Sequence, residues 1–321
     1  MRKLTYATLI ITIFFILRLF IFSSNVVNTD HLHQNRFLKE YNVFSIIKPN
    51  KLTFAGELVP YNYSQEIWER LDKELLKNTY WQSNTMLYLK RVNKYFPIIE
   101  DILEKNNIPE DFKYLAVIES GLENVVSPSG ATGFWQILKG TAKEYGLEVN
   151  AAIDERYHLE KSTQVACDYL NAAYKKFNSW TMAAASYNMG QNGIQRAIDA
   201  QGTDNYYNLY LNSETSRYVF RILAVKEILE NPKKYGFIYR DKDLYHPQDY
   251  TIVRVDSTIS NLYDFCISKQ INYKLLRYLN PWIRKTFLPD ESRKIYYIKL
   301  PNDSSLIFNN ITIQDNIIDE K

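Results

Sequence analysis

The sequence predicts a mainly α protein with a small C-terminal βααβ domain, and three observations carry that reading. Apolar residues recur at helical spacing from about residue 65 to residue 230. After His246-Pro247 the pattern changes, with strand-like runs at residues 250–255 and 295–300 bracketing two helical stretches. A length of 321 residues with 46% hydrophobic content supports one main core and a small second domain.

At the amino end, Arg2 and Lys3 precede an apolar stretch over residues 4–22, interrupted by Arg18. Residues 1–24 fit either a signal peptide or a one-helix membrane anchor, and both export the rest of the chain. A linker over residues 25–56 leads to a helical extension at 57–106. There Ile67, Leu71 and Leu75 mark one helix, and Leu87, Leu89, Val92, Phe96 and Ile99 mark a second that Pro97 kinks or splits.

The next helix, residues 110–120, starts after Pro109 with Glu110 and Asp111 at its positive end and stops at Gly121. It is apolar on nearly all sides, which predicts burial, and Glu119 continues one of its apolar stripes. Desolvation and the negative end of the helix dipole both push such a carboxylate towards its protonated form. That suits a general acid for a glycosidic oxygen, as with the acidic Glu in the apolar pocket of lysozyme.

A glycine-rich polar loop, Ser127-Pro-Ser-Gly-Ala-Thr-Gly-Phe-Trp-Gln136, follows. Gly130 and Gly133 would let the backbone approach substrate or Glu119, while Phe134 and Trp135 read as packing residues. Thr141-Ala-Lys-Glu144 reads as a capping box opening a short helix that Gly146 closes. Asp154-Glu-Arg156 precedes a long helix to residue 177. Residues 180–186 form an alanine-rich helix followed by Tyr187-Asn-Met-Gly190. Glu214 opens a helix to residue 230, stopped by Asn231-Pro232. In the C-terminal part, a strand at 250–255, a capped helix at 257–269, a second helix at 272–279 and a strand at 295–300 complete the pattern, and a polar tail follows from 303.

Glu119-Ser, Ser127…Gly-Ala-x-Gly-Phe-Trp-Gln136, Ala185-Ser-Tyr-Asn-Met-Gly190 and Glu214-Thr-x-x-Tyr218-Val, in this order and spacing, resemble the four signatures of the family 1 lytic transglycosylases, nearest to the membrane-bound type D enzymes. The resemblance covers about residues 57–240. It implies a lysozyme-like catalytic domain at 107–240 that cleaves the β-1,4 bond between N-acetylmuramic acid and N-acetylglucosamine in peptidoglycan. In that scheme the muramic acid's own C6 hydroxyl closes on its anomeric carbon, leaving a 1,6-anhydro end. One residue, matching Glu119, first donates a proton and then accepts one. Ser127, Gln136, Tyr187, Asn188, Glu214 and Tyr218 match positions that contact the glycan or close the cleft. The C-terminal part, 248–302, with Leu279-Asn-Pro-Trp282 and Lys-Leu-Pro301, resembles a LysM module. It lacks the usual Gly- and Asp-rich loop, so it either grips glycan or docks on the catalytic domain.

Most glycoside hydrolases use two carboxylates. Glu123, Glu144, Glu148 and Asp154 are the nearest other acids, and Glu123 reads as a solvated loop residue beyond the helix stop. Two further readings remain: a lysozyme-type muramidase, which needs a second carboxylate or an ordered water, and a noncatalytic peptidoglycan-binding protein. Cys167 and Cys266 read as buried free thiols. Four scattered His residues offer no metal constellation, and no cofactor is implied. A net charge of +3 without basic runs argues against nucleic acid. The expected partners are peptidoglycan strands and, through the N-terminal helix, the membrane. A monomer exported to the cell envelope, the periplasm, is expected.

Overall fold

The computed structural model describes residues 43–289 and 294–302, together with Asn35 and Lys39. The export segment expected at 1–24 and the tail expected at 303–321 lie outside the described residues. Among the described residues, no helix is long and apolar enough to cross a membrane. The chain divides between Ile47 and Lys48, and the helical body and the C-terminal module both lie in the second unit.

That unit begins with a hairpin, β1 (Thr53–Phe54) pairing antiparallel with β2 (Glu57–Leu58). The hairpin straddles the end of the expected linker, and its first strand packs with the body. Phe54 is fully buried, edge-on against Phe112. The Ala55 amide donates to Asp111 at 2.7 Å, and the Glu57 carboxylate accepts the amides of Trp180 and Thr181.

Two helices follow as the periodicity predicts, α1 (Gln65–Tyr80) and α2 (Gln82–Lys105). The break falls at Trp81, and α2 runs through Pro97, so the expected split at the proline is absent. A mid-helix proline removes one backbone hydrogen bond. Phe96, Ile99 and Leu103, buried on either side of it, keep the helix in register. A short 3₁₀ turn at Glu110–Phe112 leads into α3 (Lys113–Ser120), in which every residue from 113 to 118 is buried. Lys113 tolerates this because Glu100, at 2.7 Å, and Glu110 both pair with it.

The expected capping box is not formed. Helix α4 (Lys139–Glu144) starts two residues before Thr141, with Leu138 at its N-cap and no side-chain cap. The paired stretch Thr132↔Ile137 delivers the chain straight to Leu138, so Thr141 lies inside the helix. After α5 (Leu159–Phe177), helix α6 (Trp180–Met189) runs one turn further than its alanines suggested. Tyr187 and Asn188 therefore sit on its last turn rather than beyond it, and Gly190, at φ 81°, ends it. Helix α7 (Gln191–Gln201) was not legible, because its sequence is polar and only Gly193 and Ile194 are buried. A Cβ on Gly193 would lie 2.8 Å from Met189 Cγ, so the tight corner between α6 and α7 needs the glycine.

Helix α8 (Thr215–Glu230) is the central rod. It packs against α1, α3 and α6 and is buried almost continuously from Tyr218 to Ile228. The result is a mainly helical, lysozyme-like body.

The C-terminal module is β3 (Tyr250–Val255), α9 (Leu262–Lys269), α10 (Tyr273–Leu279) and β4 (Tyr296–Pro301), with β3 and β4 antiparallel and Val253 opposite Ile298. The first module helix begins later than residue 257. Residue Ile259 is held in a backbone pair with Leu288, and Asn261 supplies the cap, accepting from the Tyr263 amide at 2.8 Å. The module shares its core with the body. Ala152 and Ile153 belong to one buried cluster with Leu262, Trp282, Ile283 and Ile298. Backbone bonds cross the seam, from the Asp154 amide to Trp282 O at 2.9 Å and from the Arg284 amide to Ala152 O at 2.7 Å. Lys299 pairs with Glu160, and the Tyr296 hydroxyl donates to Glu148 at 3.0 Å.

From this seam Arg156 reaches the polar loop. Its guanidinium pairs with both oxygens of Asp154 at 2.9 and 2.8 Å and donates to the carbonyls of Gly130, at 2.9 Å, and Ile137, at 3.2 Å. Gly133 faces the same residue, not Glu119 as the sequence suggested. A Cβ there would stand 2.1 Å from the Arg156 carbonyl oxygen. Both cysteines are free and buried, and burial pushes their thiols up to about 12 for Cys167 and about 11 for Cys266.

Gly133→Ala should lose ~3 kcal/mol or more in urea denaturation, since it adds a backbone clash to positive φ. Gly130→Ala, with φ 80° but open space around it, should lose only ~1 kcal/mol. Burial opposes ionisation of Glu160, but His158 and Lys299 outweigh it and bring the carboxyl from 4.5 down to about 2. The stability this pair adds is complete above pH 4.5 and lost as pH falls through about 2. The stability gap between wild type and Glu160→Gln should therefore be open at pH 4.5 and close as pH falls through about 2.

Candidate active site

Glu119 lies on the last turn of α3, where Gly121, at φ 63°, caps the helix and its amide returns to Val117 O at 2.8 Å. The carboxylate is half-buried. The fully buried Tyr218 of α8 donates its hydroxyl to Glu119 Oε1. Burial raises the Glu119 carboxyl above its ordinary range. The Tyr218 hydrogen bond and the Arg221 charge oppose that rise, the Glu214 charge adds to it, and the net direction is upward.

Arg221, one turn beyond Tyr218 on the same helix, donates to Ile118 O at 2.6 Å. It thus fixes the end of α3 while its charge bears on Glu119. The sequence reading missed it, although the spacing Tyr218-x-x-Arg221 places both on one helix face. Ser120 was likewise missed as a positioning residue. Its hydroxyl donates to Phe134 O at 2.8 Å, and the Tyr187 hydroxyl donates to the adjacent Trp135 O at 2.9 Å. Two anchors therefore hold the polar loop beside Glu119. The Tyr187 hydroxyl is raised well above its usual value, first by burial and then by the Glu119 charge, and remains a neutral donor. Phe134 and Trp135 are buried packing residues, and the Trp135 indole N–H donates to Thr163 Oγ1 at 2.8 Å.

The other expected residues fall into two groups. Asn188 bridges the last turn of α6 to the start of α8: its amide donates to Glu214 Oε1 at 3.0 Å, and its carbonyl accepts from Thr215 Oγ1 at 2.8 Å. Glu214 is exposed, and its charge acts on Glu119. Ser127 and Gln136 instead make their hydrogen bonds within the loop. Ser127 Oγ lies 2.9 Å from Ser129 Oγ and accepts from the Ala131 amide at 3.0 Å. Gln136, at φ 48°, donates to Val125 O at 3.0 Å and to Gly133 O at 2.9 Å.

Of the alternative acids, Glu123 is exposed and paired with Arg91 at 2.5 Å, Glu148 is engaged by Lys294 and Tyr296, and Asp154 by Arg156. A cavity of about 590 Å³ adjoins the site, bounded by Ile118, Glu214 and Arg221 and by the rings of Trp81 and Tyr88. Its polar and aromatic lining suits a polyol.

The arrangement offers one carboxylic acid raised above its ordinary value, set among neutral tyrosine hydroxyls and a cation. Comparison with known proteins agrees with the geometry. Residues 96–210 match the Transglycosylase SLT domain, and residues 251–304 match the Soluble lytic transglycosylase C-terminal LysM-like domain. The chain is 31% identical over 184 residues to the Membrane-bound lytic murein transglycosylase D of Escherichia coli strain K12, which is 56% of this chain and 39% of that protein. The same figures hold for the protein of that name from an O6:H1 strain of Escherichia coli. The chain thus spans about two fifths of the length of the curated relatives it matches. Residues 96–210 are thus similar to a transglycosylase SLT domain and residues 251–304 to a lytic transglycosylase C-terminal LysM-like domain.

Proposed function

We propose that the chain is a peptidoglycan lytic transglycosylase in which Glu119 is the single general acid and base. The observation that supports this best is the half-buried Glu119 carboxyl, raised by its surroundings and held by the Tyr218 hydroxyl. In the first step Glu119 gives its proton to the oxygen linking N-acetylmuramic acid to N-acetylglucosamine, and the bond from that oxygen to the anomeric carbon breaks. In the second step the C6 hydroxyl oxygen bonds to the same carbon and its proton passes to Glu119. The carboxyl is regenerated, and no water is consumed.

Tyr218 orients the carboxyl, and its hydrogen bond lets Glu119 carry charge between the two steps. Glu214, Asn188 and Tyr187 would border the bound glycan, with Ser127 and Gln136 shaping the loop that faces it. The reading places cleavage in residues 107–240 and the protein in the cell envelope, tethered or exported by its first 24 residues. A hydrolytic muramidase is the second reading, favoured by one observation: the Glu214 charge reaches Glu119.

Glu119→Gln should keep the fold by circular dichroism and reduce release of soluble muropeptides from purified peptidoglycan by at least ~100-fold. Activity within a few-fold of wild type would overturn the acid–base role. By mass spectrometry the wild-type products should be one water lighter than their hydrolytic counterparts, whereas full-mass products would establish the muramidase. Tyr218→Phe removes a hydrogen bond that lowers the Glu119 pKa, so the alkaline limb of the pH–rate profile should move to higher pH. An unchanged limb, or one moved to lower pH, would count against Glu119 as the acid.

A further inference from the structure

A cavity of about 930 Å³ lies where the helical body meets the C-terminal module, and Glu119 does not line it. Its walls are α2, residues 122–125 just beyond the end of α3, residues 157–160 at the start of α5, the connection at residues 244–248, the end of α10 and Lys299 of β4. These walls are fixed to one another. The Tyr245 amide donates to Lys90 O at 3.1 Å, Asn93 donates to Tyr245 O at 3.0 Å, and Lys94 of α2 meets the hydroxyl of Tyr278 on α10. The volume is in the range of small-molecule sites, ~300–1,000 Å³.

The lining sorts by partner. Arg91 is taken by Glu123 and Lys299 by Glu160. Lys94 has no carboxylate partner among the described residues, and its ammonium rests over the rings of Tyr95 and Tyr278 at 5.2 and 4.8 Å. Tyr245 and Tyr278 remain open to solvent at 43% and 53% exposure, although both belong to the cavity wall. Gln248, on the same wall, makes no hydrogen bond within the described chain.

Half-open tyrosine rings accept the C–H face of a pyranose, a free amide takes its hydroxyls, and an ammonium without a counter-charge takes an acid. A neutral sugar would leave Lys94 unmatched, and a simple aliphatic acid would leave the rings uncovered. We propose that this cavity is a second binding site, separate from Glu119, for a sugar that carries a carboxylate. The proposed function enters only in choosing N-acetylmuramic acid as the probe.

The test is titration of the isotopically labelled chain with N-acetylmuramic acid and with N-acetylglucosamine, which lacks the lactyl carboxylate, read by amide NMR shifts. Neither sugar has a glycosidic bond to cleave, so the result is independent of turnover. N-acetylmuramic acid should shift amides around Lys94, Gln248 and Tyr278, and N-acetylglucosamine should bind there at least about tenfold more weakly. Lys94→Ala should remove that preference, Tyr278→Ala should weaken both sugars, and Glu119→Gln should change neither. Equal affinity for the two sugars, shifts confined to the neighbours of Glu119, no shifts at all, or a preference that survives Lys94→Ala would each overturn the proposal. Retained wall cleavage in Glu119→Gln, with this binding intact, would count against the Glu119 reading alone.

Discussion

One guanidinium ties the molecule together. Arg156 is buried, so its charge needs a counter-charge, and Asp154 supplies it two residues away. Its Nη1 donates to the carbonyls of Gly130, within the polar loop, and of Ile137, just beyond the loop's end. Asp154 is itself fixed by the hydrogen bond its backbone N–H donates to Trp282 O of the module. The loop beside Glu119, the start of α5 and the C-terminal module therefore share one electrostatic anchor. Removing either charged partner would leave the other buried without compensation, a costlier state than an apolar pair.

The site shows the complementary logic. A carboxyl at the end of a buried helix is raised by desolvation, which by itself disfavours the charged form. Helix α8 supplies the counterweight through Tyr218 and Arg221, and both opposing influences act on the same group. An acid that must give a proton and take one back works best when neither form is strongly disfavoured. The tyrosines contribute as neutral donors, since burial keeps their hydroxyls protonated.

Much of this was legible in residue order. The apolar stripes gave α1, α2 and α3 because each buries a face that the pattern displays, start and stop signals gave α5 and α8, and the structure hydrogen-bonds Tyr218 to Glu119 and Asn188 to Glu214. What was not legible depends on the partner rather than on the segment. Helix α7 is short and mostly polar, and its apolar stripe is only Ile194, Ala197 and Ile198. Thr141 would cap a helix were the chain not delivered to Leu138 by a backbone pair formed earlier. Arg221, Ser120 and Arg156 act through carbonyls of distant residues, and a carbonyl leaves no mark in a sequence. The same holds for Ser127 and Gln136, whose residue types fit sugar contacts but whose hydrogen bonds turn back into the loop.

The seam between body and module has an evolutionary consequence. A domain joined only by a linker can be exchanged, duplicated or lost by recombination without disturbing its neighbour. Here Ala152 and Ile153 complete a core whose other members lie more than a hundred residues later, and backbone bonds run between residues 152–154 and 282–284. Such a module cannot be shuffled as a unit. Residues 148–160 and 280–300 are bound to diverge in step, and a graft of either half onto a foreign partner carries an open apolar face unless the matching segment travels with it.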